Sequence, residues 1–260
     1  MTHPEVRPGA MPLLAHLLEL RRRLFRSALA VALGAVAGWF LSGPVLDQVR
    51  GPITAVAREQ HRLATLNFDS ITGAFDLRFA IALTTGVVLA SPVWLHQAWA
   101  FLMPALTRRE RRVTLAFLGS AIPLFLAGCA AGWAVVPHMI GLLTGFAGAG
   151  DTTILQAQQY VAFLLKLVLA VGAAFVAPVF VVLLNAAGVM SAAAVARSWR
   201  LAVLGIAVFT ALVTPAADLL SMCLLALPML LLFAVTVGVT QVHDRRAVRA
   251  ARRAAQLEEV

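Results

Sequence analysis

The sequence predicts an all-α, polytopic integral membrane protein with six transmembrane helices and both termini in the cytoplasm. Three observations lead there. The 260 residues are 61% hydrophobic and only 13% charged, with a mean hydropathy of +0.87; a soluble domain is nearer half apolar and a quarter charged. The apolar residues come in runs of about 20, the length of one bilayer crossing. The positive charges gather in alternate connections between those runs. Backbone groups in lipid must find partners within the fold, which leaves helices or a closed barrel, and runs without two-residue alternation exclude the barrel.

In chain order, a cytoplasmic amphipathic segment (12–24) leads into a first span near Leu24–Leu41. A cleavable leader is the competing reading of residues 12–45, but five further spans and no convincing small-x-small cleavage site argue against it. Gly43-Pro44 and Gly51-Pro52 predict that the next connection, Ser42–Ala74, opens with turns, with a short surface helix over Ile53–Leu63. The second span runs near Phe75–Trp94 and continues as helix toward Met103, and the third runs near Val113–Val136. A glycine-rich connection, Pro137–Gln159, precedes a fourth span near Tyr160–Leu184. The fifth, Trp199–Val213, reaches only roughly 22 Å at 1.5 Å per residue, short of the ~30 Å hydrocarbon core. Thr214-Pro215 then turns into the sixth, Leu219–Val239, and a basic tail occupies 240–260. The whole reads as a single membrane domain, 1–260.

Orientation follows from arginine. Of the 21 Lys and Arg residues, 16 lie in the N-terminal segment, the connection after span two, the connection after span four with Arg200, and the tail. The positive-inside rule places those four segments, and so both termini, in the cytoplasm. A net charge of +9 invites a nucleic-acid reading, yet the charges flank apolar spans and no polar domain exists to hold nucleic acid. Anionic headgroups and topology explain them better.

Catalytic signatures are absent. Cys129 and Cys223 sit inside apolar runs without metal-ligand spacing, and the six histidines are scattered. No phosphate loop, metal motif or triad pattern appears. The expectation is a protein without enzymatic turnover, cofactor or metal. Gly34-x-x-x-Gly38 and Gly128-x-x-x-Gly132 predict close helix approaches. Pro92, Pro104, Pro123, Pro178 and Pro228 predict bends. Trp94 and Trp99 fit an interfacial aromatic belt.

Three blocks carry a resemblance. The first is His16-Leu17-Leu18-Glu19-Leu20-Arg21-Arg22-Arg23. The second runs Ser91-Pro92…Gln97-Ala98-Trp99-Ala100-Phe101…Pro104, followed by Arg108-Arg109-Glu110-Arg111-Arg112. The third is Thr214-Pro215…Asp218…Ala226-Leu227-Pro228. In this order, over about residues 12–246, the chain resembles the TatC family, the multispan component of the twin-arginine translocase, with a tail similar to actinobacterial members. The resemblance implies six spans in a concave bundle in the bacterial plasma membrane. It also implies a cytoplasmic site for twin-arginine signal peptides, TatA- and TatB-like single-span partners in a homo- or hetero-oligomer, and export of folded proteins driven by the proton-motive force.

Paired arginines seek carboxylates, which accept both prongs of a guanidinium. Glu19 and Glu110 fall on the same predicted surface, and the family associates glutamates at these motif positions with signal recognition. Arg21, Gln97 and Phe101 complete the candidate peptide site; Gln97 and Phe101, four apart, share a helix face. Glu19 can instead pair with Arg23 at i,i+4, worth a few tenths of a kcal/mol. Lys166, Asp218 and Pro52 are candidates for partner contacts or intramembrane polar roles, with outward snorkelling the simplest use of Lys166 and helix capping that of Asp218. The chain departs from many relatives at Val176 and Ala234, where they carry glutamate, which puts any mechanism needing those carboxylates in doubt. The alternatives are a small-molecule transporter, without visible internal repeats or mid-membrane charges, an intramembrane enzyme, without a catalytic constellation, and a non-translocating paralogue.

Overall fold

The computed structural model describes residues 13–59, 65–67, 70–102, 111–145, 154–186, 188–214 and 219–258. The elements are α1 (Leu13–Glu59), β1 (Thr65–Asn67), α2 (Gly73–Leu89), α3 (Ser91–Leu102), α4 (Arg111–Gly145), β2 (Ile154–Gln156), α5 (Ala157–Ala186), α6 (Ala192–Arg197), α7 (Trp199–Val213) and α8 (Leu219–Glu258). Four helices among the described residues are long and apolar enough to cross a membrane: α1, α4, α5 and α8. The α2–α3 pair, bent by 58°, makes a fifth if read as one span, and α7 is shorter.

Glycine sets the closest approach. A Cβ on Gly34 would lie 2.7 Å from the Gly86 carbonyl oxygen, one on Gly38 would meet the Ala82 carbonyl, and one on Gly86 would lie 2.5 Å from the Ala35 nitrogen. The backbones of α1 and α2 therefore touch where small residues face each other. Gly128 and Gly132 do the same for α4 on α5, against Phe175 and the Val168–Val171 turn. One buried cluster joins Ile81, Val135, Leu164, Val171 and Leu225 from α2, α4, α5 and α8. A second joins Leu95 and Trp99 of α3 to Phe125 of α4 and Val176 of α5.

Several expectations need correction. The chain does not turn at Gly43-Pro44 or Gly51-Pro52; α1 runs unbroken for 47 residues. A proline removes one backbone donor but does not end a helix whose packing holds it on course. Past both Gly43 and Pro44, Val49 is fully buried, and its carbonyl accepts the Tyr160 hydroxyl at 3.2 Å. The second span does not continue straight toward Met103. Ala90 breaks it with ψ near 0°, and Pro92 occupies the first turn of α3, where its missing N–H costs nothing. The third helix passes through Pro137 to Gly145, shortening the glycine-rich connection. The basic tail is no separate segment, because α8 carries it as helix to Glu258.

The fold also contains a small parallel ladder, Thr65↔Ile154 to Asn67↔Gln156. It joins the α1–α2 connection to the α4–α5 connection. Beside it, Asp76 accepts hydrogen bonds from Thr72 at 3.1 Å and Gln158 at 3.4 Å. Both connections therefore lie at one end of the bundle. At a different point, α5 is followed by Gly188 (φ 75°), a left-handed turn that favours glycine. Ser191 then caps α6 by accepting the Ala194 N–H at 3.3 Å.

Candidate functional site

The N-terminal turns of α1 show a one-sided burial pattern. His16, Glu19 and Arg23 are half-buried, while Leu17, Leu18, Leu20, Arg21 and Arg22 are exposed. Spacings of three and four put the first three on one helix face. That face meets α3: the His16 and Phe101 rings stack with centroids 4.5 Å apart and planes 24° apart. The two motif blocks of the sequence thus meet in space on two helices.

On α3, Gln97 and Phe101 are both half-buried, in keeping with their shared face. The Gln97 side-chain oxygen is buried without a hydrogen-bond partner. A buried acceptor in that state is costly, and it suits a site that an N–H donor completes. Glu19 is engaged within its own helix: Arg23 donates Nε at 2.9 Å and its Nη2 to the same oxygen. The i,i+4 pairing allowed by the sequence is therefore what forms. Leu18, Glu19, Arg21, Arg22, Arg23, Phe25 and Arg26 line an open concavity of about 920 Å³.

The remaining candidates are elsewhere. Lys166 is exposed on α5. Pro52 lies in α1, roughly 54 Å of helical rise from His16. Glu110 and Asp218 lie outside the described residues. The tryptophans are not a belt. Trp99 is 1% exposed inside the α3–α4–α5 cluster, and Trp94 is half-buried, donating Nε1 to the Val87 carbonyl at 2.9 Å and meeting Phe125 edge-on. The α2–α3 bend turns them inward, which a straight helix would not. His16 was missed as a site residue; its place on the Glu19 face is the signal that could have found it.

A family model described as Sec-independent protein translocase protein (TatC) matches residues 15–228. The chain belongs to the TatC family. A TatC protein of Xylanimonas cellulosilytica is 45% identical over 92% of this chain and 87% of its own length. The TatCy protein of Bacillus subtilis is 30% identical over 91% of each. Two crystal structures of the twin-arginine translocase receptor TatC superpose on it. The one solved in DDM has a TM-score of 0.74 at 31% identity, covering 86% of this chain and 99% of that one. The other has 0.72 at 30% identity, covering 87% and 98%. The TatC match begins at the turn that carries His16 and spans both helices of the stacked pair. The chain is thus a multi-pass membrane protein of a protein-transport family, a component of the twin-arginine translocase.

Proposed function

We propose that this chain is the receptor subunit that binds twin-arginine signal peptides at the cytoplasmic surface. The observation that carries the proposal is the stack of His16 of α1 on Phe101 of α3. It brings together the two motif blocks, one bearing the acidic Glu19 and the other the unfilled acceptor of Gln97. Glu19 and Glu110 receive the two guanidinium groups, Arg23 being the cation that the peptide displaces from Glu19. Arg21 lines the approach, Gln97 accepts a peptide N–H, and Phe101 packs on an arginine plane.

The topology proposed is six spans, N-in and C-in, in the bacterial plasma membrane as one domain. The arginine distribution supports it, as does the β1–β2 pairing of the two arginine-poor connections. The short α7 and bent α2–α3 are the fifth and second crossings. TatA- and TatB-like single-span proteins are the proposed partners, joined through surfaces that include Pro52, Lys166 and Asp218. Folded cargo then crosses at the expense of the proton-motive force.

The test is binding of a fluorescent twin-arginine peptide to the purified protein in nanodiscs. Binding that disappears when both peptide arginines become lysines supports the receptor, and equal binding of the two peptides refutes it. Export of a folded reporter in a host lacking its own TatC separates an active subunit from a non-translocating paralogue.

A further inference from the structure

We infer that His16 is the positioning residue of the peptide site, a ring that fixes the Glu19 face of α1 against the Gln97–Phe101 face of α3. The inference rests on the receptor reading above. Glu19 is three residues from His16, a little under one 3.6-residue turn, so whatever fixes the His16 ring bears on the rotation of α1 that aims Glu19. Phe101 is likewise one turn from Gln97. The stack, 4.5 Å between centroids and 24° between planes, thus sets the register of an acceptor pair contributed by two separate helices.

Three features of the surroundings favour positioning over simple packing. The two residues after His16, Leu17 and Leu18, are 59% and 58% exposed, so it is His16 and not its apolar neighbours that makes this turn's contact with α3. The α3 side of the contact is rigid, since Leu95 and Trp99 on the opposite face are 0% and 1% exposed in the core. The stack leaves Phe101 partly exposed, and a ring already clamped by His16 meets a flat cation without having to be ordered on binding.

The experiment uses the full chain in nanodiscs and the same labelled peptides. His16→Ala and His16→Gln should each weaken the twin-arginine peptide by about tenfold, the upper end of what an aromatic pair contributes. Binding of the twin-lysine peptide should not change. His16→Phe should bind within about twofold of wild type, because a ring and not a proton or hydrogen bond is required. In a Phe101→Ala background, His16→Ala should have no further effect, since the two rings act as a unit. Wild-type affinity or tighter binding in His16→Ala, a His16→Phe variant as weak as His16→Ala, or losses that add across the pair would each overturn the inference while the receptor reading stands. A wild type that binds both peptides alike overturns the receptor reading, and this inference with it, before any variant is measured.

Discussion

The carboxylate of Asp244 on α8 holds the turn that follows α5: it accepts the Ala192 N–H at 2.8 Å and the Asn185 side-chain amide at 3.0 Å. Asn185 is itself 3% exposed and donates to the Met190 carbonyl at 2.9 Å. One acidic residue thereby joins the end of α5, the start of α6 and the C-terminal part of α8. Because α6 leads through Ser198 directly into α7, the arrangement also anchors the short α7–α8 hairpin.

Removing that acceptor should loosen the anchor. Asp244→Ala leaves both donors without it, whereas Asp244→Asn keeps one acceptor oxygen. The expected order of thermal stability in detergent is wild type, then Asp244→Asn, then Asp244→Ala, with the last lowered by a few degrees and cleaved faster between α5 and α6 under limited proteolysis. Indistinguishable melting curves would show that the contact contributes nothing.

The α1–α2 approach gives a prediction with an internal control. Gly34→Ala places a methyl 2.7 Å from a backbone oxygen of Gly86, and a backbone atom cannot step aside. It should destabilise by about 1–3 kcal/mol. Gly43, also in α1, has nothing within 4 Å of its Cβ position, so Gly43→Ala should be neutral or stabilise by about 0.5–1 kcal/mol. Equal effects at the two sites in denaturant unfolding would contradict the close packing.

The Tyr160 hydroxyl ties α5 to the Val49 carbonyl of α1, across 111 residues of chain. Tyr160→Phe keeps the ring and removes only the hydroxyl. The loss should be about 0.5–1.5 kcal/mol, measured as a shift in the unfolding midpoint with unchanged slope. A midpoint within error of wild type would mean that the Val49 carbonyl is satisfied without it.

What the sequence revealed follows from how far each interaction reaches. The Trp199–Val213 helix has the bounds that hydropathy and the following Thr214-Pro215 predict, because lipid selects apolar length and local turn chemistry ends the run. Gly34, Gly38, Gly128 and Gly132 were readable as contacts because small spacing is local. Their partners on α2 and α5 were not, since nothing in one helix names the facing one. The prolines misled for the same reason. Pro44 and Pro52 resemble stops locally, yet α1 passes both, and beyond Pro44 the buried Val49, bonded by the distant Tyr160 hydroxyl, holds it. Trp99 resembles an interfacial residue until the bend at Ala90 turns it inward. At the site, the shared face of Gln97 and Phe101 is a matter of spacing, while the His16 stack depends on tertiary geometry.

Val176, where the family resemblance leads one to expect glutamate, is 2% exposed among Leu95, Trp99 and Phe125. Here the position is a packed apolar one. Val176→Glu would put a carboxylate into that cluster with no cation from these neighbours to pair it, at a cost of about 3 kcal/mol by insertion scales. The variant should give less folded protein and a lower melting temperature, and it should not gain cross-links to single-span partners. A stable variant with increased partner cross-linking would mean that a carboxylate at 176 reaches the surface.

Arg23 and Glu19 provide the sharpest check on the peptide site, because the pair within α1 competes with any peptide arginine. An i,i+4 ion pair is worth about 0.3–0.5 kcal/mol, so Arg23→Gln should tighten twin-arginine peptide binding by about twofold. Glu19→Gln should weaken it, since a neutral amide cannot accept both prongs of a guanidinium. In the Glu19→Gln background, Arg23→Gln should lose most of its gain, because the cation it removes no longer shields a carboxylate. If Arg23→Gln tightens binding as much without Glu19 as with it, the benefit comes from general relief of positive charge, and Glu19 is not the group that meets the peptide. Repeating the comparison at high salt strengthens the distinction: screening over about 8 Å at physiological ionic strength and less above it removes long-range repulsion first and leaves contact pairing largely in place.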